Sequence, residues 1–385
     1  MAGLSPYQRL LTTLRHREPD RIPFDLSSTK ETGIHMVAYK NLLSHLGIEE
    51  KEIPVFDIKQ HLALPSAALL ERLEVAPRGI QPEPPSNWQL KIEDVDGYTA
   101  YTDEWGITWT MPKDGGLYYD ICAHPLAGIS SAQELEAYPW PDPIDESRFA
   151  GLKEKAKEFT AQGYPVVLSG LMAGLLEMGF WLRGFENFYL DLALRPALVE
   201  ALMEKLVELK MAYWEKALAE VGENILIVYE GDDLGVQKST IISPEMYRRY
   251  VKPRQKRLFS FIKEKARGET FLFFHTCGSV YDILPDLVEV GIDILNPVQV
   301  SAANMDTRRL KKEFGDVLTF WGGMDTQRVL PRCTPDEVRD EVKRRIDDLA
   351  PGGGFVLNTV HNIQADVPPE NIMAMWEALQ DYGGY

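Results

Sequence analysis

His275 and Cys277 stand two residues apart at the end of the apolar run ETFLFFHTCG, and in an extended chain residues so spaced point to the same side. An imidazole and a thiolate are both zinc donors. With the distant His361 they make a three-ligand set of the kind that leaves zinc a fourth position for substrate. Other polar groups cluster in comparable places: Tyr229, Glu230, Asp232 and Asp233 in YEGDD, Asn296 and Gln299 in NPVQ, Trp321 and Asp325 in WGGMD. Glu230, Asp232 and Asp233 are candidates to complete a metal shell, to orient the histidines, to act as catalytic carboxylates, or merely to cap the following helices. Tyr229, Asn296, Gln299, Trp321 and Asp325 are candidate substrate contacts. A simpler reading makes His275 and Cys277 buried packing residues and His361 a hydrogen-bonded loop histidine, and spacing alone does not separate the two. Cys122 and His124 repeat the spacing with no third ligand nearby, so packing is the preferred reading there.

These residues matter together only if the elements carrying them converge. The run of Phe271, Leu272, Phe273 and Phe274, bounded by Gly268 and Gly278, suits a buried parallel strand. From residue 150 onward strands and helices alternate. Strands are expected at 165–170, 225–230, 271–277, 292–298, 317–322 and 354–360. Helices are expected at 150–162, 172–220, 243–267, 279–289, 304–314 and 334–349. That alternation is the pattern of parallel βαβ units. Ser243 and Thr334, each followed by proline and acidic residues, read as helix N-caps. Further strands at 21–26, at 55–58 and within 74–80, with helices at 5–17, 33–46 and 64–73, bring the strand count to about eight. An α/β fold follows, a (β/α)8 TIM barrel spanning 1–385 in preference to a doubly wound sheet, with the polar groups above at the carboxyl ends of its strands. Residues 82–143 are rich in Pro, Gly and aromatics and contain the alternating stretch GYTAYTDEWGITW, an antiparallel hairpin signal. They are expected to form an insertion that caps the barrel. The glycines 352–354 suit a helix C-terminus entering a strand.

Composition narrows the partners. A formal charge of −17 over 385 residues disfavours a nucleic-acid backbone or an anionic membrane surface. Three scattered cysteines do not make a disulfide framework, and no long apolar segment opens the chain, so a cytoplasmic location is expected. Neither a G-x-G-x-x-G nor a G-x-x-x-x-G-K motif occurs, so dinucleotide and triphosphate sites lack support.

Several stretches together carry a resemblance to a known family: HREPDRIPFDL, GDDLGVQKSTIISPEMYRRYVKPRQKRL, FFHTCGSVYDILPDLVEVGIDILNPVQ, FWGGMDTQ and NTVHNIQADVPPENIMAM. Over nearly its whole length the chain resembles the uroporphyrinogen decarboxylase superfamily, in particular its corrinoid-dependent methyltransferase branch. The resemblance implies a (β/α)8 barrel and zinc on a His-x-Cys pair plus a distant cysteine. Here His275 and Cys277 match the pair, and His361 stands where the distant cysteine is expected. Cys333, before the helix start at Thr334, is a less well placed competitor. The decarboxylases' N-terminal arginine-rich motif has no counterpart in residues 21–32, which weakens a porphyrinogen substrate. The implied activity is methyl transfer from a methoxylated, aromatic donor to the cob(I)alamin of a partner corrinoid protein, an O-demethylase component, with Zn2+ polarising the ether oxygen. Transfer from a methylcorrinoid to a thiol and metal-independent decarboxylation are the alternatives. A homodimer is left open.

Overall fold

Seven parallel strands carry the architecture: β1 (Arg78–Ile80), β2 (Val166–Ser169), β3 (Ile227–Gly231), β4 (Phe271–His275), β5 (Ile294–Asn296), β6 (Thr319–Met324) and β7 (Phe355–Thr359). Their spatial order is the chain order, β1 to β7, each hydrogen-bonded to the next. The structure is a computed structural model and describes residues 3–385. The sheet curls until its edges meet the N-terminal segment. Phe24 bridges in parallel to Val75 on one side and to Leu357 of β7 on the other. Asp25 N–H donates to Leu357 O at 3.1 Å, Leu357 N–H to Pro23 O at 3.0 Å and Ala76 N–H to Phe24 O at 2.9 Å. Residues 22–26 are thus the eighth stave of the TIM-like barrel. Pro23, which has no N–H to give, keeps this stave from being a full ladder strand.

The alternation of side chains along the strands sorts the core into two parts. Val167, Ile227, Phe273, Ile294, Trp321 and Val356 point inward and fill the barrel, and Leu10 and Leu14 of the Pro6–Leu14 helix complete this cluster. That helix therefore plugs the barrel. The residues of opposite parity, such as Val228, Leu272, Phe274, Leu295 and Phe320, face the outer helices in the larger cluster. On β4 this parity puts Phe271, Phe273 and His275 on the inner side.

Several expectations need correction. The segment near 55–58 is a strand, Val55–Asp57, but it belongs to a small antiparallel sheet with Ile34–His35 and Leu62–Ala63 and adds no barrel stave. The helix expected at 64–73 is Ala67–Arg72. Its N-cap is Ser66, whose hydroxyl accepts from Leu69 N–H, so Pro65 lies outside the first turn. The span 172–220 holds three helices, Leu175–Arg183, Phe185–Leu194 and Pro196–Val221. Within 243–267 a π turn, Tyr247–Val251, separates Pro244–Met246 from Lys252–Lys265, where Pro253 has no N–H to continue the regular ladder. Residues 82–143 do contain the hairpin, Tyr98–Thr102 against Thr108–Pro112 with Ala100 opposite Thr110. They extend it to four antiparallel strands with Glu93–Val95 and Asp120–Ala123. Ser243 and Thr334 are N-caps, Thr334 within a full capping box. No described helix is long and apolar enough to cross a membrane.

Candidate metal centre

The carboxyl end of β4 delivers His275, and the loop beyond it delivers Cys277. Their positions depend on two glycines. Gly278 has φ +85°, and a side chain there would enter Gly235 and Val236, while a Cβ on Gly235 would lie 2.6 Å from Cys277 O. The loop after β3 and the loop after β4 therefore touch backbone to backbone, which only glycine permits. The contact brings Asp233 over the second loop, where its Oδ1 accepts from Cys277 N–H at 2.9 Å and lies 3.7 Å from His275 Nε2. Cys277 Sγ is 3.5 Å from the same Nε2.

His361 arrives from the loop after β7. Its backbone is left-handed at φ +65°, a conformation that costs a branched or bulky side chain energy and recurs at functional sites. Its ring lies 5.6 Å from that of His275, centroid to centroid, at 67°. Ligand atoms of His275, Cys277 and His361 all fall within 4.8 Å of one another. Among the described residues no other such group of three forms. Cys333 belongs to a distant helix end, Cys122 is exposed, and His124 Nδ1 is engaged 2.7 Å from Trp181 O.

The neighbours of these ligands fix their state. Asn296, paired with His275 across β4 and β5, places Oδ1 2.5 Å from Nδ1 and donates its own amide to Trp321 O at 2.9 Å. Because that amide nitrogen is committed, Oδ1 must accept from Nδ1–H, leaving the Nε2 lone pair of His275 free for a metal. Burial lowers the pKa of His275, and burial plus His275 lowers that of His361, so both imidazoles are neutral donors. Burial, then Asp233, Glu177 and Glu31, push the Cys277 thiol well above its ordinary value. An unaided thiolate is disfavoured there, so Cys277 is no free nucleophile, whereas coordination to a cation deprotonates a thiol outright. The carboxylates repeat the point. Glu177 is raised well above the usual range by burial and then Asp233, Asp232 and Glu31, and buried Glu31 Oε2 has no hydrogen-bond partner. Two neutral imidazoles, one thiol, an orphaned carboxylate oxygen and a ring of acids fit a divalent cation.

The other expected site residues divide. Tyr229 and Asp233 line the cavity together with His275 and His361, and burial and then Glu31 push the Tyr229 hydroxyl well above its ordinary value. Glu230 does not take part. It has the parity of Phe274 and faces the helices, where Lys210 Nζ and Trp214 Nε1 donate to it at 2.7 and 2.6 Å. Asp232 instead caps the Leu175–Arg183 helix, accepting from Leu176 and Glu177 N–H at 3.1 and 3.0 Å. Asn296 orients His275, and Gln299 holds the loop by accepting from Gly278 N–H at 2.7 Å. Trp321 is wholly buried in the barrel and donates to Asp25 at 2.9 Å, and Asp325 caps its own turn at Gln327 and Arg328. None of these four lines the cavity. Sequence reasoning missed Glu31, in the polar loop after the eighth stave, and Glu177, in the first turn after β2. Both lie just past strand carboxyl ends, the signal that would have found them.

The cavity has a volume of about 410 Å3, within the range of small-molecule sites. His275 and His361 form part of its wall, with Trp88, Tyr101 and Trp105 from the segment 82–143.

Comparison with known proteins shows the family and the fold. Against Uroporphyrinogen decarboxylase of Thermus thermophilus the chain is 29% identical over 190 residues, 48% of this chain and 49% of that one, so it spans about half that relative's length. Against the Methylcobamide:CoM methyltransferase MtbA of Methanosarcina acetivorans it is 23% identical over 270 residues, 68% of this chain and 71% of that one. A solved methyltransferase from Methanosarcina mazei superposes with a TM-score of 0.64 over 99% of both chains at 19% identity, which shows a shared fold. The family model for Uroporphyrinogen decarboxylase (URO-D) matches residues 108–382, and with seven tenths of its length so matched the chain belongs to the uroporphyrinogen decarboxylase family.

Proposed function

We propose that the chain is a zinc-dependent, corrinoid-linked methyltransferase that moves a methyl group from a methoxylated aromatic donor to the cob(I)alamin of a partner protein. The observation that carries this reading is the convergence of His275, Cys277 and His361, with both histidines in the wall of a cavity of small-molecule size. Two relatives point the same way by name, the methyltransferase MtbA and the Methylated-thiol--coenzyme M methyltransferase of Methanosarcina mazei, the latter 23% identical over 64% of this chain and 62% of that one. Decarboxylation of a porphyrinogen is less well served. The one arginine that lines the cavity, Arg148, is tied to Glu104 rather than free for a propionate.

When bound, zinc would supply a Lewis acid that takes the ether oxygen and stabilises the charge left on it as the C–O bond breaks and the cobalt–carbon bond forms. The chain's own residues prepare that step. Asn296 holds His275 in the tautomer that presents Nε2, and Asp233 fixes the Cys277 backbone. Tyr229 closes the wall beside the histidines, and the sheet of residues 82–143 acts as a cap that keeps water from the donor. Two imidazoles and one thiolate leave zinc less electron-rich than two thiolates do, which favours an oxygen ligand over a thiolate substrate. A thiol acceptor is the second reading, favoured by the two coenzyme M methyltransferase relatives.

The test is twofold. Purified protein should hold about one zinc per chain and lose it in a Cys277→Ser, His361→Ala variant that keeps its circular dichroism. With reconstituted cob(I)alamin, methyl ethers should yield methylcobalamin. Methyl transfer to a thiol alone would select the second reading, and release of carbon dioxide from a tetrapyrrole without corrinoid would replace both.

A further inference from the structure

Lys59 is the cation of the cavity for which the fold supplies no counter-ion. It occupies the turn after the Val55–Asp57 strand, where its carbonyl accepts from Tyr119 N–H at 2.8 Å. Its Nζ stands 4.0 Å from the ring centre of Trp109 and 4.1 Å from that of Trp181, two indoles set edge to face at 5.3 Å. Trp109 comes from the antiparallel sheet and Trp181 from the Leu175–Arg183 helix, so three separate segments build this place.

Asp57, Asp103 and Glu177 act on Lys59 at longer range, and burial and the neighbouring acids raise the Glu177 carboxyl well above its usual range, which disfavours the charged form. Lys30 pairs with Asp57 at 3.3 Å, and the other oxygen of Asp57 accepts from Gln60 N–H at 2.8 Å. Arg148 is paired with Glu104. Asp103 accepts from Trp109 Nε1 at 2.8 Å and from the N–H groups of Trp105 and Ile107 at 2.9 and 3.0 Å. No carboxylate oxygen of the described residues lies within 4.0 Å of Lys59 Nζ, although the residue lines the cavity. A part-buried ammonium without a counter-ion is costly, and two aromatic faces offset that cost only in part.

We propose that Lys59 is an anion subsite, and that the methyl donor is a small methoxylated carboxylate bound by its anionic end to Lys59 and turned with its ether toward His275 and His361. This rests on reading the cavity as the methyl-donor site. A single ammonium held between two indoles suits a monoanionic carboxylate better than a phosphate dianion, which draws an arginine fork or several donors. The neighbouring Trp181 and Trp105 offer faces for the donor's ring.

The experiment is calorimetric titration of the zinc-loaded protein with 4-methoxybenzoate and with neutral, isosteric 4-methoxybenzamide, without corrinoid. The intact protein should bind the benzoate at least about tenfold more tightly. Lys59→Met should erase that preference by weakening the benzoate alone, and Lys59→Arg should restore most of it. Equal weakening of both probes in Lys59→Met would assign Lys59 to packing against its tryptophans and overturn the subsite. So would an intact protein that prefers the amide or binds neither. The readout separates this inference from methyl transfer. A Lys59-dependent preference with no methylation of cob(I)alamin sinks the activity alone, and demethylation of neutral ethers without any preference sinks the subsite alone.

Discussion

Asn296 shows how little freedom the candidate metal ligands keep. Its side chain bridges His275 Nδ1 and Trp321 O, so the barrel core itself sets the imidazole's tautomer. Asn296→Ala should therefore weaken zinc about 10- to 100-fold, as removal of such supporting partners does, while leaving the fold intact; a chelator competition measures it. Unchanged affinity would mean the imidazole holds its orientation without that partner. Glu230 gives the opposite expectation. Lys210 and Glu230 are both almost wholly buried as a pair, so Glu230→Ala should destabilise the protein by about 3–5 kcal/mol by stranding the ammonium, yet leave zinc content unchanged. Loss of zinc from a folded Glu230→Ala protein would restore it to the ligand shell. The two-residue spacing made His275 and Cys277 legible as a pair, although Cys277 lies in the loop beyond β4, and strand parity, applied one residue before Gly231, would have turned Glu230 away from the site. Asp233 and Asp232 could not be told apart in the sequence, because the loop after β3 obeys no strand period.

At the scale of elements, six of the seven ladder strands were legible from apolar runs and punctuation, and β1 only within a wider window. The eighth stave was legible as a segment but not in its pairing, since Pro23 breaks the ladder and a single bridge on each side closes the barrel. That closure carries a pH signature. Asp25 accepts from Trp321 Nε1 and Ser28, and burial raises its carboxyl from 3.8 to about 6. The folded chain therefore holds this proton more tightly than the unfolded one. The stabilisation is complete below the unfolded value and is lost as pH rises through about 6, amounting to about 3 kcal/mol. Asp25→Asn does not ionise and gives up one acceptor oxygen. Its deficit in Tm against the intact protein should be largest near pH 4 and should shrink toward pH 7; a deficit that grows over this interval would contradict the assignment. The loop contact makes a second expectation. Gly235→Ala drives a methyl group into Cys277 O and should cost zinc affinity more than overall helicity, read by metal content beside circular dichroism.

For the whole molecule, the barrel positions and the surrounding segments select. Two parts of the chain distant in sequence, β4 and the loop after β7, meet because a closed barrel brings all its strand ends to one mouth. Glu31, Glu177 and Lys59 join them there from loops and helix starts whose convergence no local pattern reports. The hairpin within residues 82–143 was legible by alternation. That segment's contribution of Trp88, Tyr101 and Trp105 to the cavity depended on tertiary packing. On the proposed reading, methyl transfer to cobalt depends on a zinc ion held by His275, Cys277 and His361. The direct measurement follows the cob(I)alamin absorbance as a methoxylated benzoate is added to protein as purified, stripped with chelator, and reloaded with zinc. Methylcobalamin should form with the first and third and stop with the second, and fail in Cys277→Ser; formation at the same rate by stripped protein would contradict the account.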